Sequence, residues 1–121
     1  MKHKMFTNTF KNLTKVSKTI FKTLALCFLP LFGMAQFTFV PDDNFEQELI
    51  NLGYDNVLDD FVTTANINTV TAIDVSSANI ADMTGIADFT ALTTLLCYDN
   101  QLSVLDISSN TNLIHLYFSD N

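Results

Sequence analysis

The sequence predicts an α/β fold that leans towards a β solenoid, in which short parallel strands stack behind a helical N-terminal segment. Three observations predict this fold. A basic and apolar leader precedes a body that holds every acidic residue of the chain. Apolar residues at helical spacing then run over residues 43–52. From Val70 onward, apolar residues recur at period two in segments that repeat one another.

Residues 1–35 have the composition of an export signal. All six lysines of the chain lie at or before Lys22. An apolar run of about 11 residues follows, shorter than the ~20 that a membrane-spanning helix needs. Gly33 and Ala35 then supply the small residues that a signal peptidase reads. We therefore expect cleavage near Ala35 and a secreted or cell-surface protein, with an uncleaved anchor as the alternative.

The rest of the chain is acidic, and no lysine or arginine offsets its negative charge. All 13 aspartates and glutamates lie from Asp42 onward, and the chain contains no arginine. Residues 36–121 therefore lack the cations that neutralise phosphates, which argues against nucleic acid and anionic membrane as partners. We expect a basic or neutral partner, either a protein or a glycan, or a surface bridged by divalent cations.

Residues 36–69 predict a helical N-terminal cap. Asp43 is the expected N-cap of a helix over residues 43–52, and Glu46 stands at the position that completes a capping box. Gly53 is the expected stop, because glycine readily adopts the left-handed conformation that ends a helix.

Two flanking segments complete this part of the chain. Residues 37–40 are apolar and strand-like, and residues 54–64 predict one short helix. Paired acids in the cap are typical of helix starts and solvated faces, and the spacing of a calcium-binding loop is absent. We therefore expect no metal and no cofactor here. These acidic pairs are Asp42 with Asp43 and Asp59 with Asp60.

Residues 70–121 contain repeated segments. Four segments align on their apolar positions: VTAIDVSSANI, LTTLLCYDNQL, LSVLDISSNTNL and LIHLYFSDN. The last three have the form L-x-x-L-x-L-x-x-N, with Ile, Cys or Phe allowed for Leu. Ala78 holds the asparagine position of the first segment. The fourth-position residues, which lie 22, 10 and 11 residues apart, are Ile73, Leu95, Leu105 and Leu116.

This pattern resembles the leucine-rich repeat over residues 70–121. The first unit is similar to the internalin-type repeat, and the later units resemble the short repeats, of about 21 residues, of secreted bacterial leucine-rich-repeat proteins. The segment VPDDNFEQELINLGYDNVLDD resembles the cap that precedes such repeats. The resemblance implies an N-terminal part of a longer array, without a C-terminal cap, that serves protein binding or adhesion.

Two short units are expected to form one coil, because a leucine-rich repeat takes about 20–29 residues per coil. Strands at Ile73, Leu95 and Leu116 then stack in one parallel sheet, and residues 105–107 form a strand on the back. Cys97 occupies an inward leucine position and is expected to be a buried, unpaired thiol. Since alternate side chains of a strand face opposite ways, the inward pairs are Ile73 with Val75, Leu95 with Cys97, and Leu116 with Phe118.

The recurring asparagines are expected to be structural. A carboxamide carries donors and an acceptor, so it can satisfy backbone groups at a turn that would cost about 1–3 kcal/mol each if buried unpaired. We assign Asn100, Asn110 and Asn121 to a structural asparagine ladder rather than to a ligand site.

The outward face of the expected sheet supplies a candidate concave binding patch of Leu96, Tyr98, His115 and Tyr117. Stacked repeats present such faces to partners, and tyrosine combines a large contact area with a hydroxyl group. The alternative is that exposed aromatic residues on strands reflect β-propensity and cross-strand packing.

No catalytic motif accompanies this patch. His115 is the one histidine after the leader, and the sequence has no serine elbow, paired metal motif or glycine-rich phosphate loop. An enzyme would need a hidden carboxylate pair, such as Asp74 with Asp99. We therefore expect a protein-binding or adhesion module that has no catalytic residues. The alternative is a structural cap of a longer array that binds elsewhere. Because the last coil leaves one edge of the core open, we expect the isolated segment to be marginally stable or to associate with copies of itself through that edge.

Overall fold

The computed structural model describes residues 35–121. The predicted signal peptide, apart from Ala35, lies outside the described residues. In chain order, the elements of the described part are β1 (Phe37–Phe39), α1 (Asp43–Asn51), β2 (Phe61–Thr63), α2 (Thr64–Ile67), β3 (Ala72–Asp74), a 3-10 turn (Ile86–Asp88), β4 (Thr94–Leu96) and β5 (His115–Tyr117).

Helix α1 begins where the sequence indicates, but a different residue caps it. Asp42, in extended conformation, is the N-cap, and its Oδ1 accepts hydrogen bonds from the amides of Asn44 and Phe45, both at 3.0 Å. The prediction of Asp43 as the N-cap is therefore wrong by one residue. The predicted stop at Gly53 is confirmed, because this glycine has a φ of 82° directly after the C-cap.

Glu46 does not complete a capping box. Its side chain is fully buried, and Oε1 accepts from the amides of Asp59 and Phe61 at 3.0 and 3.1 Å while Oε2 accepts from the amide of Asp60 at 3.0 Å. These three bonds hold the loop that leads into β2. The prediction of a short helix over residues 54–64 is wrong, because a loop held by Glu46 and the strand β2 occupy this segment.

Strands β1 and β2 form a two-stranded antiparallel sheet, which agrees with the strand-like character of residues 37–40. The inward side chain of β1 is polar. The hydroxyl of Thr38 lies 2.8 Å from that of Thr64 and donates to Asp88 Oδ2 at 2.6 Å. Asp88 belongs to the first repeat, so this partly buried bond joins the two-stranded sheet to the repeats.

A second junction between the cap and the first repeat is made by Asp42. Its Oδ2 accepts from the amides of Ala81 and Asp82 at 2.8 and 2.9 Å. Gly85 approaches β1 closely, with a φ of 103°, and a Cβ atom there would lie 2.8 Å from the carbonyl oxygen of Phe39. Only glycine combines this backbone conformation with this close approach.

Strands β3, β4 and β5 form a parallel sheet in that order. Ile73 pairs with Leu95, and Leu95 pairs with Leu116, which confirms the predicted stacking and register. Residues 105–107 form no strand, which corrects the expectation of a back strand. Leu105 and Ile107 are half-buried against the core, and the chain turns there around Asp106, whose carboxylate accepts from the amide of Ser108.

The core of the described residues runs from α1 through the repeats. Phe45 of α1 stacks on Phe89 of the first repeat, with ring centroids 6.4 Å apart. Fully burying such a side chain contributes about 1.5–3 kcal/mol, so this pair ties the cap to the repeats. The other fully buried apolar side chains are Val40, Leu49, Val62, Ile67, Val75, Ile80, Leu92, Leu95 and Cys97.

Candidate functional site

The parallel sheet brings the four candidate binding residues to one face. Leu96 stands in register with Tyr117, and His115 with Thr94. Leu95 and Cys97 are fully buried. Because alternate side chains of an extended segment face opposite ways, Leu96 and Tyr98 face outward. We call the surface of Leu96, Tyr98, His115 and Tyr117 the tyrosine patch.

The two tyrosines of this patch differ in exposure. Tyr98 is 37% exposed and Tyr117 is 53% exposed. Backbone pairing continues past the ends of the strands, because Cys97 donates to the carbonyl of Tyr117 at 2.9 Å and Asp99 donates to that of Ser119 at 2.9 Å. The backbone beneath both tyrosines is therefore fixed by interstrand hydrogen bonds, with Tyr117 on β5 and Tyr98 in the segment that directly follows β4.

Asn100 organises the turn that follows β4. Its Oδ1 accepts from the amides of Ala78 and Ile80 at 3.1 and 3.0 Å. Its Nδ2 donates to the carbonyls of Val75 and Cys97 at 2.9 and 3.1 Å. One carboxamide thus satisfies backbone groups of its own turn and of the preceding repeat.

Asn121 repeats this arrangement one coil later. Its Nδ2 donates to the carbonyls of Cys97 and Phe118 at 3.0 and 2.9 Å, and its Oδ1 accepts from the amide of Leu102 at 3.2 Å. Asn100 and Asn121 each donate to the carbonyl three residues before them and to a carbonyl of the previous coil. The two asparagines therefore occupy equivalent positions in successive coils and form one row.

Asn110 does not share that row. It is buried and donates to the carbonyls of Ile86 and Phe89 at 2.8 and 3.2 Å. Because a 10-residue offset is about half a coil, Asn110 stands on a different side of the repeat from Asn100. The expected ladder of three asparagines therefore divides into a row of two and a separate buried asparagine.

A further polar row was missed by sequence reasoning. Asn112 Nδ2 donates to the carbonyl of Thr90 at 2.9 Å, and Thr90 Oγ1 donates to the carbonyl of Asn68 at 3.2 Å. These three residues are spaced by 22, as are Ile73 and Leu95. That spacing is the signal that could have identified the row.

The Cys97 side chain lies on the buried side of the parallel sheet, opposite the tyrosine patch. Its side chain is fully buried, and it is a free thiol among the residues that the structure describes. Burial raises the pKa of the Cys97 thiol to about 11, because a thiolate is disfavoured in an apolar environment. The thiol is therefore protonated and shielded at neutral pH.

The two acids considered for catalysis are held by neighbouring serines. Asp74 accepts from the amide of Ser76 at 3.1 Å, and Asp99 accepts from the hydroxyl of Ser77 at 2.9 Å. Within residues 35–121, no three His, Cys, Asp or Glu side chains are grouped in a way that could hold a metal ion. In the same range, no helix has the length and apolar character to cross a membrane.

Comparison with known proteins identifies the repeats. No protein-family profile matches the chain. Internalin J of Listeria monocytogenes serotype 4b (strain F2365) is 39% identical over 71 residues, which are 59% of this chain and 8% of that protein. The solved functional domain of InlJ from Listeria monocytogenes, which includes a cysteine ladder, has a TM-score of 0.55 at 36% identity, over 65% of this chain and 18% of its own.

Two further solved structures share the fold at lower identity. An internalin, InlF, of Listeria monocytogenes str. 4b F2365 has a TM-score of 0.54 at 23% identity, over 66% of this chain and 24% of its own. The CBM51-2 and INT domains of Clostridium perfringens ZmpB have a TM-score of 0.59 at 20% identity, over 69% of this chain and 17% of their own. The chain spans only a small part of the relatives it matches. Its homologues are nevertheless internalins, and it carries an internalin-like leucine-rich-repeat segment.

Proposed function

We propose that this chain is an exported, non-catalytic leucine-rich-repeat module that binds a protein ligand through the tyrosine patch. In this proposal residues 1–35 direct export and residues 36–69 form a helical N-terminal cap. Residues 70–121 begin a solenoid of repeats displayed outside the cell, either secreted or at the cell surface.

One observation carries the proposal. Tyr98, just after β4, and Tyr117, on β5, are both exposed on a backbone that is held by interstrand hydrogen bonds and by the Asn100 side chain. Binding hot spots are enriched in tyrosine, and side chains on a rigid sheet lose little freedom when a partner covers them. The patch therefore suits contact with a folded protein.

The charge of the chain narrows the class of ligand. Residues 36–121 carry 13 acidic side chains and no lysine or arginine. Like charges repel across an interface while opposite charges speed association. We therefore favour a neutral or basic protein, and keep a glycan stacked on the tyrosine rings as a second ligand class.

Cys97 supports the kinship with InlJ, whose functional domain includes a cysteine ladder. Cys97 points inward from β4 and occupies a leucine position of the repeat. We propose that it stands at a position equivalent to one rung of such a ladder, where a thiol packs as a small apolar group.

A structural function is the second candidate. Leu116 is 41% exposed although it is in register with the fully buried Leu95, and Phe118 beside it is also exposed. Such a face accepts either a further coil or a second copy of the chain. In this alternative the chain caps a longer array, and the ligand binds to repeats outside residues 70–121.

Binding assays with the exported chain separate the two candidates. The chain is tested against a panel of extracellular proteins, and its best ligand is tested again with Tyr98→Ala combined with Tyr117→Ala. Loss of binding supports the tyrosine patch, while Val104→Ala, at an exposed apolar residue elsewhere, is the matched control. Undiminished binding by the double variant rules out the tyrosine patch, and failure of the chain to bind any protein of the panel favours the structural candidate. Competition by soluble sugars identifies a glycan ligand.

A further inference from the structure

Strand β1 of the two-stranded sheet has an inverted pattern of polarity. An antiparallel sheet with one buried face normally turns its apolar residues inward and its polar residues outward. In β1 the reverse holds, because Thr38 is buried while Phe37 and Phe39 are 60% and 49% exposed. On β2, Phe61 is 46% exposed. We call the outward side of Phe37, Phe39 and Phe61 the phenylalanine face.

The phenylalanine face is fixed by the fold. A shift of one residue in the pairing of a strand would exchange its two faces, but the buried Thr38 hydroxyl bonds both Thr64 and Asp88. These bonds hold the register that leaves the phenylalanines outside. The face is therefore a stable feature of the cap.

Packing within the sheet explains only part of this face. Phe39 and Phe61 stand opposite each other, with ring centroids 5.4 Å apart, so this pair stabilises the sheet. Phe37 instead stands opposite Thr63, and it is the most exposed of the three phenylalanines. Phe37 and Phe61 line a shallow cleft of about 290 Å³ together with Asp59.

Charge indicates what covers this cleft. Asp59 lines it and Asp60, which is also exposed, follows directly in the chain. Since residues 36–121 contain no lysine or arginine, a second copy would bring further negative charge to the same place. A lysine or arginine of a partner would instead meet the Asp59 carboxylate and the neighbouring phenylalanine rings, whose faces attract cations.

We propose that the phenylalanine face is a second binding surface, separate from the tyrosine patch, that takes a basic amphipathic segment of a partner protein. The apolar side of that segment covers Phe37 and Phe61, and its lysine or arginine side chains meet Asp59, with the negative charge of Asp60 next in the chain. This assignment does not depend on the tyrosine patch, because the two surfaces lie on different sheets.

The test uses the full chain as its producing cell exports it. The probe is a short synthetic peptide of leucine and lysine whose leucines share one helical face, labelled for fluorescence anisotropy. A peptide with glutamate in place of lysine is the charge control. We expect saturable binding of the lysine peptide that weakens as salt is added, and no measurable binding of the glutamate peptide.

Substitutions then locate the peptide. Phe37→Thr together with Phe61→Thr is expected to raise the dissociation constant at least about tenfold, which corresponds to ~1.4 kcal/mol. Val104→Thr, at an exposed apolar residue outside the face, is expected to leave it unchanged, as is Tyr98→Ala with Tyr117→Ala. Equal binding of the glutamate peptide, or equal loss in the Val104 variant, overturns the proposal.

A second measurement covers the case in which the double variant fails to fold, as judged by circular dichroism. Amide chemical shifts of the unchanged protein are followed during titration with the lysine peptide. Shifts centred on residues 37–39 and 59–61 support the proposal, and shifts centred on Tyr98 and Tyr117 or spread over the surface overturn it. Displacement of the peptide by a neutral oligosaccharide also overturns it, in favour of a sugar-binding face.

Discussion

Leu96 of β4 stands directly beside Tyr117 of β5 on the outward side of the parallel sheet. This neighbour relationship follows from a 21-residue step between the two positions, the same step that separates Leu95 from Leu116. The repeat length that stacks the core residues therefore also aligns the residues that face solvent. Changes at Tyr98 and Tyr117 can consequently alter the surface while leaving the buried side of the sheet intact.

Asn100→Ala should destabilise the fold strongly. The substitution leaves the amides of Ala78 and Ile80 and the carbonyls of Val75 and Cys97 without their partner. At about 1–3 kcal/mol for each buried unpaired group, with water reaching some of them, we expect a loss of about 2–4 kcal/mol from the free energy of unfolding. Urea denaturation followed by circular dichroism measures this loss.

Asn112→Ala is the matched control for that experiment. Its side chain makes one exposed hydrogen bond, to the carbonyl of Thr90, so we expect a loss below about 1 kcal/mol. Equal losses for the two variants would contradict the structural assignment of Asn100.

Asp42→Ala should loosen the cap and its junction with the first repeat together. One carboxylate accepts from four amides, two in α1 and two in the first repeat. Loss of an N-cap side chain costs about 0.5–2 kcal/mol, and the unpaired amides of Ala81 and Asp82 add to that cost. Hydrogen exchange should therefore quicken at residues 44–45 and 81–82, whereas Asp43→Ala, at an exposed residue, should leave the exchange at residues 81–82 unchanged.

The two glycines with positive φ provide a paired test of the junction. A Cβ at Gly85 would lie 2.8 Å from the carbonyl oxygen of Phe39, whereas a Cβ at Gly53 would meet nothing within 4 Å. Gly53→Ala should cost about 1–2 kcal/mol from the left-handed backbone alone. Gly85→Ala should cost clearly more, because β1 must also move. Thermal melts of both variants measure the difference, and equal melting temperatures would show that β1 does not pack against Gly85.

Cys97 should be unreactive while the protein is folded. At neutral pH a thiol-specific reagent should modify it slowly in buffer and rapidly in urea, since burial raises its pKa to about 11 and the thiolate is the reactive form. In the unfolded chain the thiol ionises near its ordinary pKa of about 8.5. The stability that the neutral thiol contributes is therefore present below about pH 8.5 and declines as pH rises above it.

A comparison with Cys97→Ala isolates this dependence on pH. The wild type should lose stability relative to the variant between about pH 8.5 and 10. A constant difference between the two, or rapid modification of the folded protein, would mean that Cys97 is accessible to solvent.

The repeats could be predicted from the sequence more fully than the cap. In residues 70–121, apolar residues at fixed steps determine which strands pair, so Ile73, Leu95 and Leu116 could be placed in register. In the cap, Glu46 makes its bonds with a loop 13 to 15 residues away in sequence. Local spacing assigns the same residue to a capping box, because it carries no information about distant partners.

The candidate sites also divide into features that follow from local sequence and features that depend on tertiary contacts. Alternation along β4 and β5 was sufficient to identify which side chains face outward, and the repeat length was sufficient to align them. The row to which Asn110 belongs depends instead on how the 10-residue unit bends. In that unit Leu105 and Ile107 are half-buried against the core and form no strand, which the local spacing of apolar residues does not reveal. The phenylalanine face also depends on tertiary contacts, since Thr38 on the buried side of β1 bonds Thr64 and Asp88, which are distant in sequence.

The most direct test of the proposed function is the affinity of the chain for the protein that it binds best in the panel, measured with Tyr98→Ala and Tyr117→Ala combined. The account predicts that binding weakens at least about a hundredfold, since two hot-spot residues of at least ~1.4 kcal/mol each are removed, while the melting temperature stays close to that of the wild type. An unchanged dissociation constant in a folded double variant would contradict it.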